Sequence, residues 1–303
     1  MKSLSSLLSP TLAGVLLLWL GGCAAPGVQE HIPELDIGPT IGPPDTPTVV
    51  APPLAAIPPT VINHGPRNAK RIALTFDGCS LSASTYYDER VTKVLVEMNV
   101  PATIFLGGKW MLDHREPLRE LAALPQFELA SHGFLHPHMT KLSPERVRQE
   151  LRWTQDTMYS LIGRQPTLFR APYGEVNERL VNLVAEHGLR TVQFDLPAGD
   201  SDKKASKKKL VEYITSVAKP GSIVVMHINR RGWHTAEALP DIITKLRKRG
   251  FEFVTVSELL GIAPPAPEVV PPTDAITPDT AFRPDSEAPI PKASVAGPAT
   301  QVQ

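Results

Sequence analysis

"RIALTFDGCS", residues Arg71–Ser80, decides how the rest of the chain is read. Arg71–Phe76 is mostly apolar and is followed by an acid, Asp77, and a glycine, Gly78. A short apolar run without alternation is the signature of a strand buried on both faces. An amphipathic helical stretch, Asp88–Met98, follows, and then a second apolar run, Ala102–Leu106. The alternation continues. Helices are expected at His114–Leu124, Pro144–Ile162 (with Ser143 as N-cap), Val176–His187, Lys204–Ala218 and Thr235–Arg249. Strands are expected at Phe127–Ser131, Leu168–Phe169, Thr191–Phe194, Ser222–His227 and Phe251–Val256. Strands alternating with helices predict an α/β fold of parallel strands with helical crossovers. About seven strands predict a distorted (β/α) barrel, closed or nearly so.

Proline frames this region. Of 32 prolines, 11 lie in residues 23–66 and 10 in residues 263–303. Both stretches lack periodicity and are expected to be a Pro-rich disordered tether and tail around a domain at 67–262. Residues 1–22 read as a signal peptide, with Lys2 ahead of a short apolar run. That run ends in Leu20-Gly21-Gly22-Cys23, which resembles a bacterial lipoprotein cleavage box. The resemblance implies lipid on Cys23, a membrane anchor and, with Ala24 next, an outer-membrane address in the envelope. The alternative is an ordinary secretory signal cleaved near Ala24 or Ala25. Lys plus Arg balances Asp plus Glu at 31 each, so no global field draws the chain to nucleic acid. The basic run Lys203, Lys204, Lys207, Lys208 and Lys209 reads as a solvated helix face. Only two cysteines occur, and if Cys23 carries lipid, Cys79 has no partner within the chain.

The charged and ligating residues fall at strand ends. Asp77 follows the first expected strand, His132 the third, Arg170 the fourth and Asp195 the fifth, and His227 ends the sixth. In parallel α/β folds the carboxyl ends of the strands form the active face. "SHGFLHPHM", Ser131–Met139, puts His132, His136 and His138 within seven residues. Pro137 disfavours helix at His136, so a loop presents these rings. Spacing alone leaves His132 with His136, and His136 with His138, as competing pairs.

In order along the chain, "LTFDGCS", "SHGFLHPH", "FRAPYG", "FDLPAGDSD" and "IVVMHIN" resemble the five motifs of the NodB-homology polysaccharide deacetylases, carbohydrate esterase family 4. The resemblance spans about Arg67 to Ile262 and is loosest at the fourth motif. It implies a metal-dependent hydrolase that removes N-acetyl (or O-acetyl) groups from an N-acetylated glycan, with an envelope polysaccharide such as peptidoglycan as substrate. It implies that His132 and His136 bind a divalent metal, zinc with cobalt or nickel as alternatives, which leaves His138 as a bystander. Asp77 is then the catalytic base, His227 the acid that protonates the leaving amine, and Arg170 the holder of the base. Tyr173 lends a backbone amide to the oxyanion. Trp233, in "NRRGWHTAEALP", offers a flat ring for stacking on a sugar. Asp200 and Asp202 either face the site or are turn residues.

The chain departs from the family at Gly78, where the resemblance implies a second, metal-binding Asp. Two imidazoles make a poor zinc site. Asp77 ligating, with Asp195 or Asp200 as the base, is one repair. Cys79 as a thiolate ligand is another, and weak binding with more water a third. The rival functional expectation is a non-catalytic glycan-binding or scaffold protein that has lost its metal carboxylate at Gly78. Which glycan, and which oligomeric state, the residues do not say.

Overall fold

A computed structural model describes residues 49–80, 86–229 and 231–262. The expected signal peptide, Cys23 and the C-terminal tail lie outside the described residues. The strands are β1 (Val61–Ile62), β2 (Arg71–Gly78), β3 (Ala102–Leu106), β4 (Phe127–Ser131), β5 (Leu168–Phe169), β6 (Arg190–Val192), β7 (Leu196–Pro197), β8 (Ile223–His227) and β9 (Glu252–Phe253). The helices are α1 (Glu89–Glu97), α2 (Gly108–Asp113), α3 (Arg115–Ala123), α4 (Pro144–Ile162), α5 (Glu178–Glu186), α6 (Lys207–Val217), α7 (Thr235–Lys248) and α8 (Val256–Leu260).

All strand pairings are parallel, in the order β1-β6-β5-β4-β3-β2-β8-β7, with β9 paired to the start of β2. Alternation along β2 shows how the layers form. Ile72, Leu74 and Phe76 join Ile104, Leu106, Val224 and Met226 in a core shared with the helices. Ala73 faces the other way and meets Phe105, Ala130, Leu168, Val192 and Ile223 in a separate inner cluster. Side chains from six strands meet there because the sheet curls on itself, so the barrel expectation holds. Thr75 and Asp77, next on the same face, carry that interior from apolar to polar toward the carboxyl rim.

Three expectations need correction. The tether boundary at 66 is too late: Ala51 donates its N–H to Asp156 and accepts from Arg152, Ile57 donates to Ala185, and β1 joins β6. The strand expected at Thr191–Phe194 stops at Val192, and the chain turns at Asp195 into β7, a strand not foreseen. The strand expected to reach Val256 ends at Phe253. Thr255 instead caps α8, with reciprocal bonds to Glu258. Helix α2 also went unforeseen, since it is only six residues long. Lys207 and Lys209 are exposed on α6, as the charge run predicts.

The histidine loop after β4 is held from two sides. Buried Glu150, on α4, accepts the N–H groups of Phe134 and Leu135 at 2.8 Å each, and its other oxygen binds Arg146 at 2.7 Å. On the opposite side Gly108 N–H donates to Gly133 O, and Lys109 N–H to Phe134 O. Gly108 must lack a side chain, because a Cβ there would lie 2.0 Å from Phe134 Cδ2. Replacing Glu150 by Ala strands two buried N–H donors and should destabilise the protein by about 2–4 kcal/mol in urea unfolding. A loss under about 0.5 kcal/mol would show that the loop stands without it.

Candidate metal centre and active site

The site grows from the inner face of β2. Asp77, the last inward side chain of the strand, is buried, and its Oδ1 accepts from Arg170 Nη1 at 2.8 Å. Arg170 follows β5 and is wholly buried. The same Nη1 donates to Thr75 Oγ1 at 2.8 Å, Nη2 donates to Gln193 O, and the guanidinium lies 3.9 Å over the Phe105 ring. Burial raises the Asp77 pKa, but the charges of Arg170, His132 and His227 outweigh it and hold the carboxyl below its ordinary range. Asp77 is therefore an anion at neutral pH.

His132 leaves β4 with its Nδ1 2.9 Å from Arg170 O. A carbonyl only accepts, so Nδ1 carries the hydrogen and Nε2 keeps its lone pair. Nε2 lies 3.8 Å from Asp77 Oδ2. The His136 ring packs against that of His132, centroids 4.9 Å apart, with the backbone in the left-handed region at φ 59°. His136 Nδ1 is buried and, among the described residues, has no hydrogen-bond partner. Potential ligand atoms of Cys79, His132 and His136 all lie within 4.8 Å of one another. The expected pair of imidazoles is thus brought together. His138 stands apart, stacked on Tyr173 at 4.0 Å and bonded to Glu175.

On the far side of Asp77, His227 ends β8. Its Nδ1 lies 2.9 Å from Asp200 Oδ1, and its N–H donates to Asp200 Oδ2. Asp200 is buried and also accepts from Thr235 Oγ1. Burial favours the neutral ring of His227, but Asp200, as charge and as acceptor, outweighs it and raises the pKa above the ordinary value. Asp200, left open between site and turn by the sequence, is the partner that orients His227. Asp195 is not a rim residue. It accepts from Ile223 N–H, Ser222 Oγ and Arg67 at the amino end of β8, so it cannot serve as the alternative base.

One cavity is lined by Asp77, Cys79, His132, His136, Tyr173 and His227, with Asp200 and Arg231 also on its wall. Arg231 was not foreseen; nothing in its sequence context sets it apart from other surface arginines. Tyr173 is 48% exposed and held at φ 60° after Pro172, a strained backbone of the kind found at functional sites. Trp233 is not among the lining residues. Its N–H donates to Asp200 O, so its backbone supports the loop, and the residue is 39% exposed outside the cavity.

Burial, then the nearby His132, pushes the His136 pKa down from 6.5 to about 3. In the ion-free protein the unfolded chain therefore binds a proton between those values that the folded chain refuses. Stability rises with pH across that window and falls on acidification. His136→Gln should flatten the slope of unfolding free energy against pH between about 3 and 6.5 by close to one proton. An unchanged slope would place the ring in water.

The polysaccharide deacetylase family matches residues 64–192. A peptidoglycan-N-acetylglucosamine deacetylase of Listeria monocytogenes is 35% identical over 193 residues, covering 63% of this chain and 39% of that protein. The chain spans less than two fifths of the length of the curated relatives it matches first. The structure of a peptidoglycan deacetylase from Bacillus subtilis is 30% identical, with TM-score 0.55, covering 64% of this chain and 91% of that one. A family 4 carbohydrate esterase pseudoenzyme from Bacillus anthracis is 25% identical, with TM-score 0.60, covering 67% and 69%. Motif order, curled parallel sheet and relatives agree, and the chain belongs to the polysaccharide deacetylase family, carbohydrate esterase family 4.

Proposed function

We propose that this protein is a metal-dependent hydrolase that removes acetyl groups from an N-acetylated envelope polysaccharide such as peptidoglycan. One observation carries the reading: side chains from β2, β8 and the segments after β4, β5 and β7 converge on a single cavity. The residues fit a divalent cation, since His132 keeps a bare Nε2, His136 has an orphaned buried nitrogen, and an anionic carboxylate lies beside them. When bound there, such an ion supplies Lewis acidity and lowers the pKa of a water. Asp77, fixed through Oδ1 by Arg170, uses Oδ2 to take the proton of the attacking water. His227 has its Nδ1 committed to Asp200, which leaves Nε2 to protonate the leaving amine. The raised pKa keeps that proton available near neutrality. The Tyr173 backbone amide would stabilise the oxyanion, and Arg231 adds positive charge to the cavity wall. Lipid on Cys23 would hold the domain at the envelope membrane, a location that suits this substrate.

A second reading is a glycan-binding protein without catalysis, favoured by likeness to the pseudoenzyme and by the departure at Gly78. Zinc-loaded full-length protein, incubated with acetylated chito-oligomers and with peptidoglycan, separates the two. Acetate release is expected, and His227→Gln should lower kcat by about 10²–10⁴-fold with zinc content unchanged. Bound zinc and retained glycan, with no acetate released, would establish the second reading.

A further inference from the structure

We propose that Cys79 is the third protein ligand of the metal site, its Sγ converging with His132 and His136 on one ion. This deepens the functional reading above and rests on it for the presence of the ion.

The backbone explains why the cysteine has this role. A Cβ built on Gly78 would lie 3.0 Å from Leu106 Cδ2 and 3.2 Å from Ile228 Cδ1, both buried in the core shared with the helices. A Cβ at 78 would therefore crowd those two side chains. Gly78 itself brings no ligand atom, and its neighbour supplies one. Cys79 is buried, lines the cavity, and offers its sulfur to the two histidines.

A second feature belongs to a ligand more than to a packing residue. Asn229 is buried just beyond β8, and its Nδ2 donates both to Cys79 O at 3.0 Å and to Cys79 Sγ at 3.2 Å. Its Oδ1 accepts from Arg231 N–H, which fixes the amide so that the NH₂ faces the sulfur. Burial and then the Asp77 charge push the Cys79 thiol up to about 12 in the ion-free protein; the Asn229 donor opposes that shift and orients the sulfur, as outer partners of metal ligands do. On binding, Sγ exchanges its proton, released to solvent, for the ion. Two nitrogens and a sulfur complete the three-ligand set of an open zinc site, with a fourth position free for water or substrate. The present ligand spacing of up to 4.8 Å exceeds the roughly 3.3–3.6 Å between two ligands of tetrahedral zinc, so side-chain rotation closes the set.

X-ray absorption on the zinc-loaded full chain tests this directly. The protein carries Cys23→Ser, which removes the only other cysteine. One sulfur scatterer at about 2.3 Å is expected beside nitrogens at about 2.0–2.1 Å. Cys79→Asp should keep the ion with a nitrogen and oxygen shell only. Asn229→Ala should keep the sulfur but weaken zinc binding by about 10–100-fold. Zinc held by nitrogen and oxygen alone in the parent protein would overturn the Cys79 assignment and leave the hydrolase reading standing. Failure to hold zinc at all would overturn both.

Discussion

The buried ion pair between Arg170 and Asp77 is the interaction on which the rest of this structure depends. A guanidinium and a carboxylate are both taken from water into the curl of the sheet. That arrangement survives only because every part of it is answered. Thr75 and Gln193 O accept from the guanidinium, and Phe105 lies beneath it. The carbonyl of Arg170 accepts from His132. One residue therefore fixes the Asp77 carboxylate through its side chain and the His132 tautomer through its backbone.

The remainder is arranged around that pair in two halves. On one side the histidine loop, pinned by Glu150 and the start of α2, presents His132 and His136 beside Cys79. On the other side Asp200 holds His227 through both ring and backbone, while Thr235 and the Trp233 amide secure Asp200 and its loop. Asp77 lies between them, so one buried carboxylate has the paired imidazoles on one side and His227 on the other within one cavity.

Much of this was legible in the residues. Apolar runs ending in Asp77, His132 and His227 gave both the strands and the rim, because parallel strands buried on two faces leave a plain pattern. Short elements were not legible. β7 is two residues long and follows Asp195, whose carboxylate binds the amino end of β8, a partner 28 positions away. That same long-range bond took Asp195 out of the site. Glu150 and Asn229 were invisible for a related reason. Each acts on a loop or residue distant in sequence, and nothing in its own neighbourhood marks it. Gly78 misled in a different way. Aligned letter by letter it is a missing ligand, but the next residue, Cys79, brings a sulfur within 4.8 Å of the two imidazoles.

Coupling between Arg170 and Asp77 is the central physical claim to measure. A double-mutant cycle on urea unfolding, with Arg170→Met, Asp77→Leu and the pair together, measures it. Each single change leaves an uncompensated buried charge and should cost about 3–5 kcal/mol. The double variant should cost far less than their sum. Additive losses, agreeing within about 0.5 kcal/mol, would contradict the account, since the two groups would then be independent.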